Sequence, residues 1–253
     1  MVDKDMARDL LSFGVPILAL GDPAQLPPVK GAGYFTQGVR PDTMLTEIHR
    51  QARDNPIIRA ATDVREGRRL RHGWMGETVE IGRPGERSAA DVAAADQIIC
   101  GKNRTRQSFN ERLRKHHGFA GVLPQPGDRL ICTRNDWGLG ILNGMMFEVR
   151  KVLDTHGDHV HMSVLNADEP EARPLETKVH KSFFDPQVEA PKPWELRGTQ
   201  QFDFGYAITC HKAQGSQWDH VVVYDQSETF GDAARSWLYT AITRASNQLT
   251  LVM

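Results

Sequence analysis

The sequence predicts an α/β protein with a largely parallel sheet, into which a small β-barrel is inserted. Short, continuous apolar runs separated by helical patterns predict the sheet, because strands buried on both faces lack polar alternation. These runs lie at residues 96–100, 204–209, 219–224 and 248–252. Short strand-like runs broken by turn sequences between Pro126 and Gly198 predict the barrel.

The composition is typical of a globular intracellular protein. Of the 253 residues, 40% are hydrophobic and 25% are charged. No apolar run approaches the ~20 residues of a membrane helix, and the polar, acidic N-terminus differs from a signal peptide. The three widely spaced cysteines indicate small core side chains in a reducing compartment. We therefore expect a cytoplasmic protein without a membrane partner.

The net charge of −1 gives no global support for nucleic-acid binding, so any support must be local. One local basic cluster comprises Arg65, Arg68, Arg69 and Arg71, for which a solvated surface is the simpler interpretation. The stretch from Lys102 to Lys115 carries six cations and one carboxylate, and it opens a helix after a strand. A helix start of this kind is typical of an anion site.

The N-terminal third predicts two helices and one strand. Apolar residues at helical spacing predict a helix over residues 3–13, and the apolar run at 15–20 predicts a strand buried on both faces. Asn55 as N-cap, Pro56 at the first turn and a closing Gly67 predict a second helix. Residues 73–91 show little periodicity and are predicted to be a loop.

The most informative segment runs from Phe204 to Tyr224. Two apolar runs flank a polar turn, Thr209–Gln217, which contains His, Lys, Gln, Gly and Ser. Ligands of open α/β sheets bind at the carboxyl ends of strands. Cationic and amide donors beside a glycine favour an anion, so phosphate is the predicted ligand.

Four segments, in order, resemble motifs of superfamily 1 helicases of the RecD and Dda type. The segments are Gly21–Val29 (motif III), Leu45–Gln51 (motif IV), Thr209–Asp219 (motif V) and Leu238–Ala245 (motif VI). The chain is accordingly identified as the C-terminal portion of such a helicase. Met1-Val2-Asp3 resembles the continuation of motif II, so we expect the chain to begin near that motif.

The resemblance implies a domain organisation. The parallel sheet is expected to be the second RecA-like motor domain, formed by residues 73–125 and 199–253. A small SH3-like β-barrel is expected at residues 126–198, and a remnant of the first RecA-like domain at residues 1–72.

The resemblance also implies roles in ATP hydrolysis. Gln25 would sense the γ-phosphate, and Arg50 and Arg244 would stabilise the transferring phosphoryl group. The residues expected to face the nucleotide are Asp22, Gly215 and Gln217. The family often has Glu at position 217, and a Gln brings no charge to the ribose. Without the resemblance, Asp22 and Gln25 fit ordinary turn chemistry.

A second set of residues is implied to contact single-stranded DNA, along which RecD and Dda relatives move from 5′ to 3′. The set comprises Asn103 and Arg106 at the cationic helix start and Thr209 and His211 in motif V. Tyr34 and Phe35 either stack on bases or fill the core, and the sequence does not separate these alternatives.

The sequence has no Gly-x-x-x-x-Gly-Lys-Ser/Thr phosphate loop and no acidic pair to hold Mg²⁺ for the expected ATP. His156, His159 and His161 lack a complete ligand set, so no metal site is predicted. Three functions therefore remain open: the C-terminal part of an ATP-dependent helicase, a non-catalytic DNA- or partner-binding module, and a RecD-like subunit of an exonuclease complex. The implied partners are a separate N-terminal helicase half or recombination subunits, of bacterial or phage origin.

Overall fold

The computed structural model describes residues 2–28, 33–36, 41–44 and 54–253. The chain divides into two compact units: residues 1–103 with 208–253 form the first unit, and residues 104–207 form the second. The segment resembling motif IV, which contains Arg50, lies outside the described residues. The domain boundaries derived from the resemblance stay a prediction.

Within the described residues the chain forms six α-helices and eleven β-strands. The helices are α1 (Lys4–Ser12), α2 (Pro56–Arg65), α3 (Ala89–Ala93), α4 (Asn103–His116), α5 (Cys210–Ala213) and α6 (Ala234–Ile242). The strands are β1 (Gly73–Met75), β2 (Val79–Gly82), β3 (Gln97–Cys100), β4 (Arg129–Cys132), β5 (Met146–Asp154), β6 (His159–Asn166), β7 (Leu175–His180), β8 (Phe202–Phe204), β9 (Ala207–Thr209), β10 (Trp218–Tyr224) and β11 (Ala245–Val252). Two 3-10 turns cover Lys181–Phe183 and Ser227–Ala233.

The two helices predicted in the N-terminal third are confirmed, together with their caps. Asp3 Oδ1 accepts the Met6 N–H at 3.0 Å, and Asn55 Oδ1 accepts the Ile57 N–H at 2.8 Å. Each bond satisfies a helix N–H that has no partner within the helix. Gly67 follows α2 with φ +77°, a conformation that residues with a Cβ rarely adopt.

The first unit is built on a six-stranded sheet in the order β1-β2-β11-β10-β3-β9. Strand β10 runs parallel to β3 and β11, and β11 runs parallel to β2. Ile99, Val221, Val223, Leu249 and Leu251 on the central strands have no exposed surface. The predicted parallel sheet is therefore confirmed, and its buried strands are the ones with continuous apolar runs.

The loop predicted over residues 73–91 is wrong, because this segment contains β1, β2 and α3. Val79 and Ile81 are buried on β2, which pairs in parallel with β11. Two apolar positions are too few for periodicity to distinguish a strand from a loop. Pairing with β11, more than 160 positions further along the chain, stabilises this strand.

The buried strand predicted at residues 15–20 is also wrong. Leu18 and Leu20 are 84% and 87% exposed, and the described part of the chain contains no strand that pairs with this run. A strand buried on both faces needs neighbours that cover its side chains and bind its backbone N–H and C=O groups. Apolar composition alone does not provide those neighbours.

The single strand predicted at residues 204–209 is divided between two sheets. Strand β8 pairs with β4 in the second sheet, whereas β9 lies beside β3 in the first. Gly205 occupies the break, and its N–H donates to the Arg129 carbonyl at 2.8 Å. A Cβ on Gly205 would lie 3.0 Å from the Leu130 carbonyl carbon, so the break needs a residue without a side chain.

The second unit contains α4 and a five-stranded sheet in the order β7-β6-β5-β4-β8. All the pairings within this sheet are antiparallel. The strands predicted between Pro126 and Gly198 are therefore confirmed, to within a few residues at each end. Leu130, Val149, Val160 and Phe202 have no exposed surface and form its core.

A buried ion pair joins α4 to the start of β4 in the second unit. Arg114 Nε and Nη2 donate to the two carboxylate oxygens of Asp128 at 2.9 and 2.8 Å. The same carboxylate accepts the Tyr206 hydroxyl at 3.0 Å and the Gln125 N–H at 2.8 Å. Burial and the neighbouring Asp128 charge raise the pKa of Tyr206, which keeps its hydroxyl protonated as a donor.

Candidate functional site

The segment resembling motif V lies where β9 ends at the edge of the first sheet. After β9 the chain forms the single-turn helix α5, then an exposed turn at Gly215, and then β10. The polar turn predicted over residues 209–217 thus contains a short helix. Gly215 has φ +91° and nothing within 4 Å of the position of a Cβ. Its open backbone is therefore accessible to a ligand.

The loop resembling motif III is hydrogen-bonded to two distant segments of the chain. The Leu26 N–H donates to Thr240 Oγ1 of α6 at 2.7 Å, and the Leu26 carbonyl accepts from Gln214 Nε2 at 2.7 Å. The Tyr239 hydroxyl donates to Asp22 Oδ2 at 2.8 Å. These five residues (Asp22, Leu26, Gln214, Tyr239 and Thr240) are hereafter called the junction.

The junction is shielded from water at its centre. Leu26 is 3% exposed and Thr240 is fully buried. Burial and the hydrogen bond to Asp22 raise the pKa of Tyr239 to about 12. Because hydrogen bonds in a water-excluded site are strong and costly to leave unmade, the junction fixes the loop against α6.

Arg244, at the end of α6, is attached to the junction through the Thr240 carbonyl. Its Nε donates to that carbonyl at 3.1 Å, and Nη1 donates to the Ser216 carbonyl at 3.0 Å. Nη2 donates to Thr243 Oγ1 at 3.1 Å. Arg244 is 7% exposed, and this burial lowers the pKa of its guanidinium. Among the described residues, three of its five N–H donors have a partner, which leaves two for an anion.

The other predicted nucleotide residues differ in their surroundings. Gln25 is half-buried in the turn that begins at Asp22, and its side-chain amide has no hydrogen-bond partner within the described residues. Gln217 is exposed, and its Nε2 donates to the Thr243 carbonyl at 3.3 Å. The structure therefore brings Asp22 and Arg244 into one hydrogen-bonded network, whereas the Gln25 side chain joins no described residue of it.

The sequence interpretation gave no role to three of the junction residues. Gln214, Tyr239 and Thr240 lie inside the segments resembling motifs V and VI, yet their contacts with the loop join positions 188 to 217 residues apart. A buried threonine within an apolar helix face is a signal that could have identified Thr240, because buried hydroxyls need partners.

The residues predicted to contact DNA fall into three places. Tyr34 is 40% exposed, and its ring meets the Phe35 ring edge-on at 5.1 Å. Thr209 and His211 are half-buried where β9 ends, and burial lowers the pKa of His211. The His211 imidazole is therefore neutral at pH 7 and offers a hydrogen bond without a charge.

The helix start predicted as an anion site is already occupied by a side chain. Gln226 Oε1 accepts the N–H groups of Gly101 and Lys102 at 2.9 and 3.0 Å, so an anion would have to displace it. Asn103 is exposed in this turn. Arg106 is 7% exposed and forms an ion pair with Asp203, which gives its guanidinium a structural partner.

Metal centres and membrane-spanning helices are two other kinds of functional feature. No three His, Cys, Asp or Glu side chains cluster as metal ligands within the described residues. In the same part of the chain, no helix has the length and apolar character needed to span a bilayer.

Comparison with known proteins agrees with the motif pattern. A family model described as the UvrD-like helicase C-terminal domain matches residues 204–252, which include β9, α5, β10, α6 and β11. The ATP-dependent RecD2 DNA helicase of Deinococcus radiodurans is 28% identical over 258 aligned residues. These two findings, together with the motif order, support the assignment of the chain as a C-terminal portion of a superfamily 1 helicase. The alignment covers 93% of this chain and 32% of the RecD2 helicase.

Two solved helicase structures share the fold of this chain. The Pif1 helicase from Candida albicans superposes with a TM-score of 0.54 at 16% identity, covering 92% of this chain and 63% of that one. The Pif1 helicase from Bacteroides in complex with ADP-AlF3 and ssDNA gives a TM-score of 0.51 at 14% identity, covering 91% and 60%. The chain thus spans about a third of its RecD2 relative and less than two thirds of each Pif1 chain.

Proposed function

We propose that this chain forms the C-terminal part of the motor of an ATP-dependent helicase that moves along single-stranded DNA from 5′ to 3′. The observation that carries the proposal is the junction, which joins the loop resembling motif III to the segments resembling motifs V and VI. The relatives support the ligands, since one is an ATP-dependent DNA helicase and another binds ADP-AlF3 and ssDNA.

In this proposal the six-stranded sheet belongs to the second RecA-like motor domain, at residues 73–125 and 199–253. Strands β4 to β7 of the antiparallel sheet form the inserted SH3-like barrel at residues 126–198, whose sheet is extended by β8 from beyond that range, and residues 1–72 derive from the first RecA-like domain. The antiparallel order of β4 to β8 supports the second assignment.

Two side chains beside the junction, Arg244 and Gln25, suit a phosphate group. Arg244 is held rigidly by three hydrogen bonds and retains two N–H donors, and Gln25 has a side-chain amide without a partner in the described residues. A preorganised guanidinium stabilises the charge that spreads over a transferring phosphoryl group. Gln25, on the loop fixed by Leu26, would report the presence of that group to α6. Arg50 is proposed as the second cation, and Gly215 and Gln217 as contacts to the nucleotide.

The Asp22 carboxylate of the junction does not suit the Mg²⁺ ion that helicases use. Both carboxylate oxygens of Asp22 are engaged, one by the Ala24 N–H at 2.9 Å and the other by the Tyr239 hydroxyl. Mg²⁺ prefers carboxylates and water in octahedral geometry. We therefore assign no Mg²⁺ ligand to this loop and expect the ion and the phosphate-loop lysine to be held by another part of the motor.

Single-stranded DNA is proposed to contact the end of β9, where Thr209 and His211 lie, together with Asn103, Arg106, Tyr34 and Phe35. The hydrogen bond from Gln214 to Leu26 joins this surface to the nucleotide loop through α5. A shift of the loop on hydrolysis would therefore move α5 and the residues that begin it.

A second candidate function is a non-catalytic module that binds DNA or a partner chain. The absence of a phosphate-loop sequence from these 253 residues favours it for the isolated chain. A third is a RecD-like subunit of an exonuclease complex, in which a partner would supply the nuclease.

The decisive experiment measures ATP hydrolysis stimulated by single-stranded DNA. We expect no turnover by the chain alone, and turnover when the N-terminal motor half of the Deinococcus RecD2 helicase is fused to it. In the active fusion, Arg244→Ala should lower kcat by about 10³-fold or more. Arg83→Ala is the matched control, because Arg83 is an exposed cation outside the site.

Three results would contradict this account. Hydrolysis by the isolated chain would show that it does not need a phosphate loop from elsewhere. Unchanged turnover in Arg244→Ala would remove the proposed role of that arginine. An inactive fusion whose chain still binds single-stranded DNA would favour the non-catalytic module.

A further inference from the structure

A cationic groove lies in the first unit, at the β1 edge of the six-stranded sheet. It has a volume of about 520 Å³ and lies between α2 and the segment that leads from α2 into β1. Its polar and aromatic lining comprises Arg59, Asp63, Arg69, Arg71, His72 and Trp74. We call this feature the arginine groove.

The positive charge of the arginine groove is uncompensated. Arg59, Arg69 and Arg71 are exposed, and none of them forms an ion pair in the part of the chain that the structure describes. Asp63, the one carboxylate among the described lining residues, is bound by Arg68 at 2.7 Å. Three unpaired guanidiniums in one concave surface repel each other, and a polyanion relieves that repulsion.

The arginine groove also presents a large aromatic ring. Trp74 is 59% exposed, although it lies on a strand that pairs with β2. Trp137 and Trp194 are exposed as well, so what distinguishes Trp74 is its position beside the exposed guanidiniums of the groove. Guanidiniums that track a backbone, together with an aromatic ring that stacks on bases, are the combination by which proteins bind single-stranded nucleic acid.

The arginine groove is separate from the surface at the end of β9. Strands β1 and β9 are the two opposite edges of the sheet, with four strands between them. Five inter-strand spacings of about 4.8 Å place these edges about 24 Å apart. No described residue of the segments resembling motifs III, V and VI lines the groove.

We propose that the arginine groove is a second binding site for single-stranded DNA. Arg59, Arg69 and Arg71 bind backbone phosphates, and the Trp74 indole stacks on a base. The proposal rests on the proposed function only for the choice of DNA as the polyanion. The basic cluster that the sequence assigns to a solvated surface thereby becomes part of a ligand site.

The test is equilibrium binding of fluorescein-labelled oligo-dT to the full chain, measured by anisotropy at several salt concentrations. Arg69→Glu/Arg71→Glu should weaken binding at least about tenfold. It should also reduce the steepness of the salt slope, the slope of log K against log salt concentration, by about 0.7 for each phosphate that the variant no longer neutralises. Trp74→Ala should weaken binding by about 5- to 150-fold. Arg83→Glu, a charge reversal outside the groove, should leave both the affinity and the salt slope near those of the wild type.

Tryptophan fluorescence distinguishes stacking of Trp74 on a base from a role of Trp74 in folding alone. Stacking of a base on Trp74 should quench the emission of the wild-type chain on binding, and Trp74→Phe should remove that quenching. The substituted side chains of the groove are all exposed, and circular dichroism checks that each variant is folded.

The outcomes separate this inference from the proposed function. The groove variants should lose both DNA binding and quenching, whereas Thr209→Ala/His211→Ala should retain both. This result supports DNA binding in the groove even if the DNA contact proposed at the end of β9 proves wrong. Wild-type affinity in the double charge reversal, or quenching that persists in Trp74→Phe, overturns the proposal for the groove. Failure of the wild-type chain to bind oligo-dT also overturns it, as does equal competition by polyglutamate, which would indicate a site for acidic protein.

Discussion

Replacing Thr240 by Val tests whether the junction fixes the motif III loop. The two side chains have nearly the same shape, so the substitution removes the hydroxyl acceptor of the Leu26 N–H without leaving a cavity. The Thr240 carbonyl, which accepts from Arg244, belongs to the backbone and is retained. The variant therefore isolates one hydrogen bond of the junction.

The expected magnitude follows from burial. Leu26 is 3% exposed and Thr240 is fully buried, so no water can replace the missing acceptor unless the loop moves. A buried N–H without a partner costs about 1–3 kcal/mol. If the free energy needed to open the loop locally falls by about 2 kcal/mol, the equilibrium constant for opening rises about 30-fold.

Amide hydrogen exchange measures this opening directly. The Leu26 amide should exchange about 30-fold faster in Thr240→Val than in the wild type, while amides of β10 keep their protection. Thr240→Ser is the matched control, since it keeps the hydroxyl and loses only a methyl group. That loss should raise the exchange rate of the Leu26 amide by no more than about fourfold. Equal exchange at Leu26 in wild type and Thr240→Val would refute the reasoning, because the hydrogen bond would then not hold the loop.

Three further predictions concern stability. Asp128→Asn, which leaves its buried guanidinium partner without a full counter-charge, should lower the free energy of unfolding of the second unit by about 3 kcal/mol in chemical denaturation; a loss near zero would show that the pair is dispensable. Tyr239 has a pKa of about 12 in the folded chain against a reference of 10.0, so the folded state holds its proton more tightly and stability should fall as pH rises from 10 to 12. Tyr239→Phe should lack this pH-dependent loss, and an identical slope in both proteins would contradict the assignment. Gly205→Ala places a Cβ 3.0 Å from the Leu130 carbonyl carbon and should cost about 1–3 kcal/mol in thermal unfolding, whereas Gly138→Ala, with ordinary contacts, serves as the control.

Several features of this protein were determined by the sequence alone. The caps at Asp3 and Asn55 act within one turn, so local residue types suffice to predict α1 and α2. The continuous apolar runs of β3, β10 and β11 predict strands buried on both faces, and these strands form the centre of the sheet. The order of the helicase-like segments predicted the family, which the comparisons support.

Other features were decided only by the tertiary structure. The apolar run at residues 15–20 is exposed, whereas the weak pattern at Val79 and Ile81 becomes a strand, because among the described residues only the second run has a neighbouring strand. The junction joins Leu26 to residues that are 188 and 214 positions away, a relation that no local pattern encodes. Packing of the whole chain decides which distant backbone groups lie close enough to form a hydrogen bond. Such a bond becomes strong only where that packing excludes water.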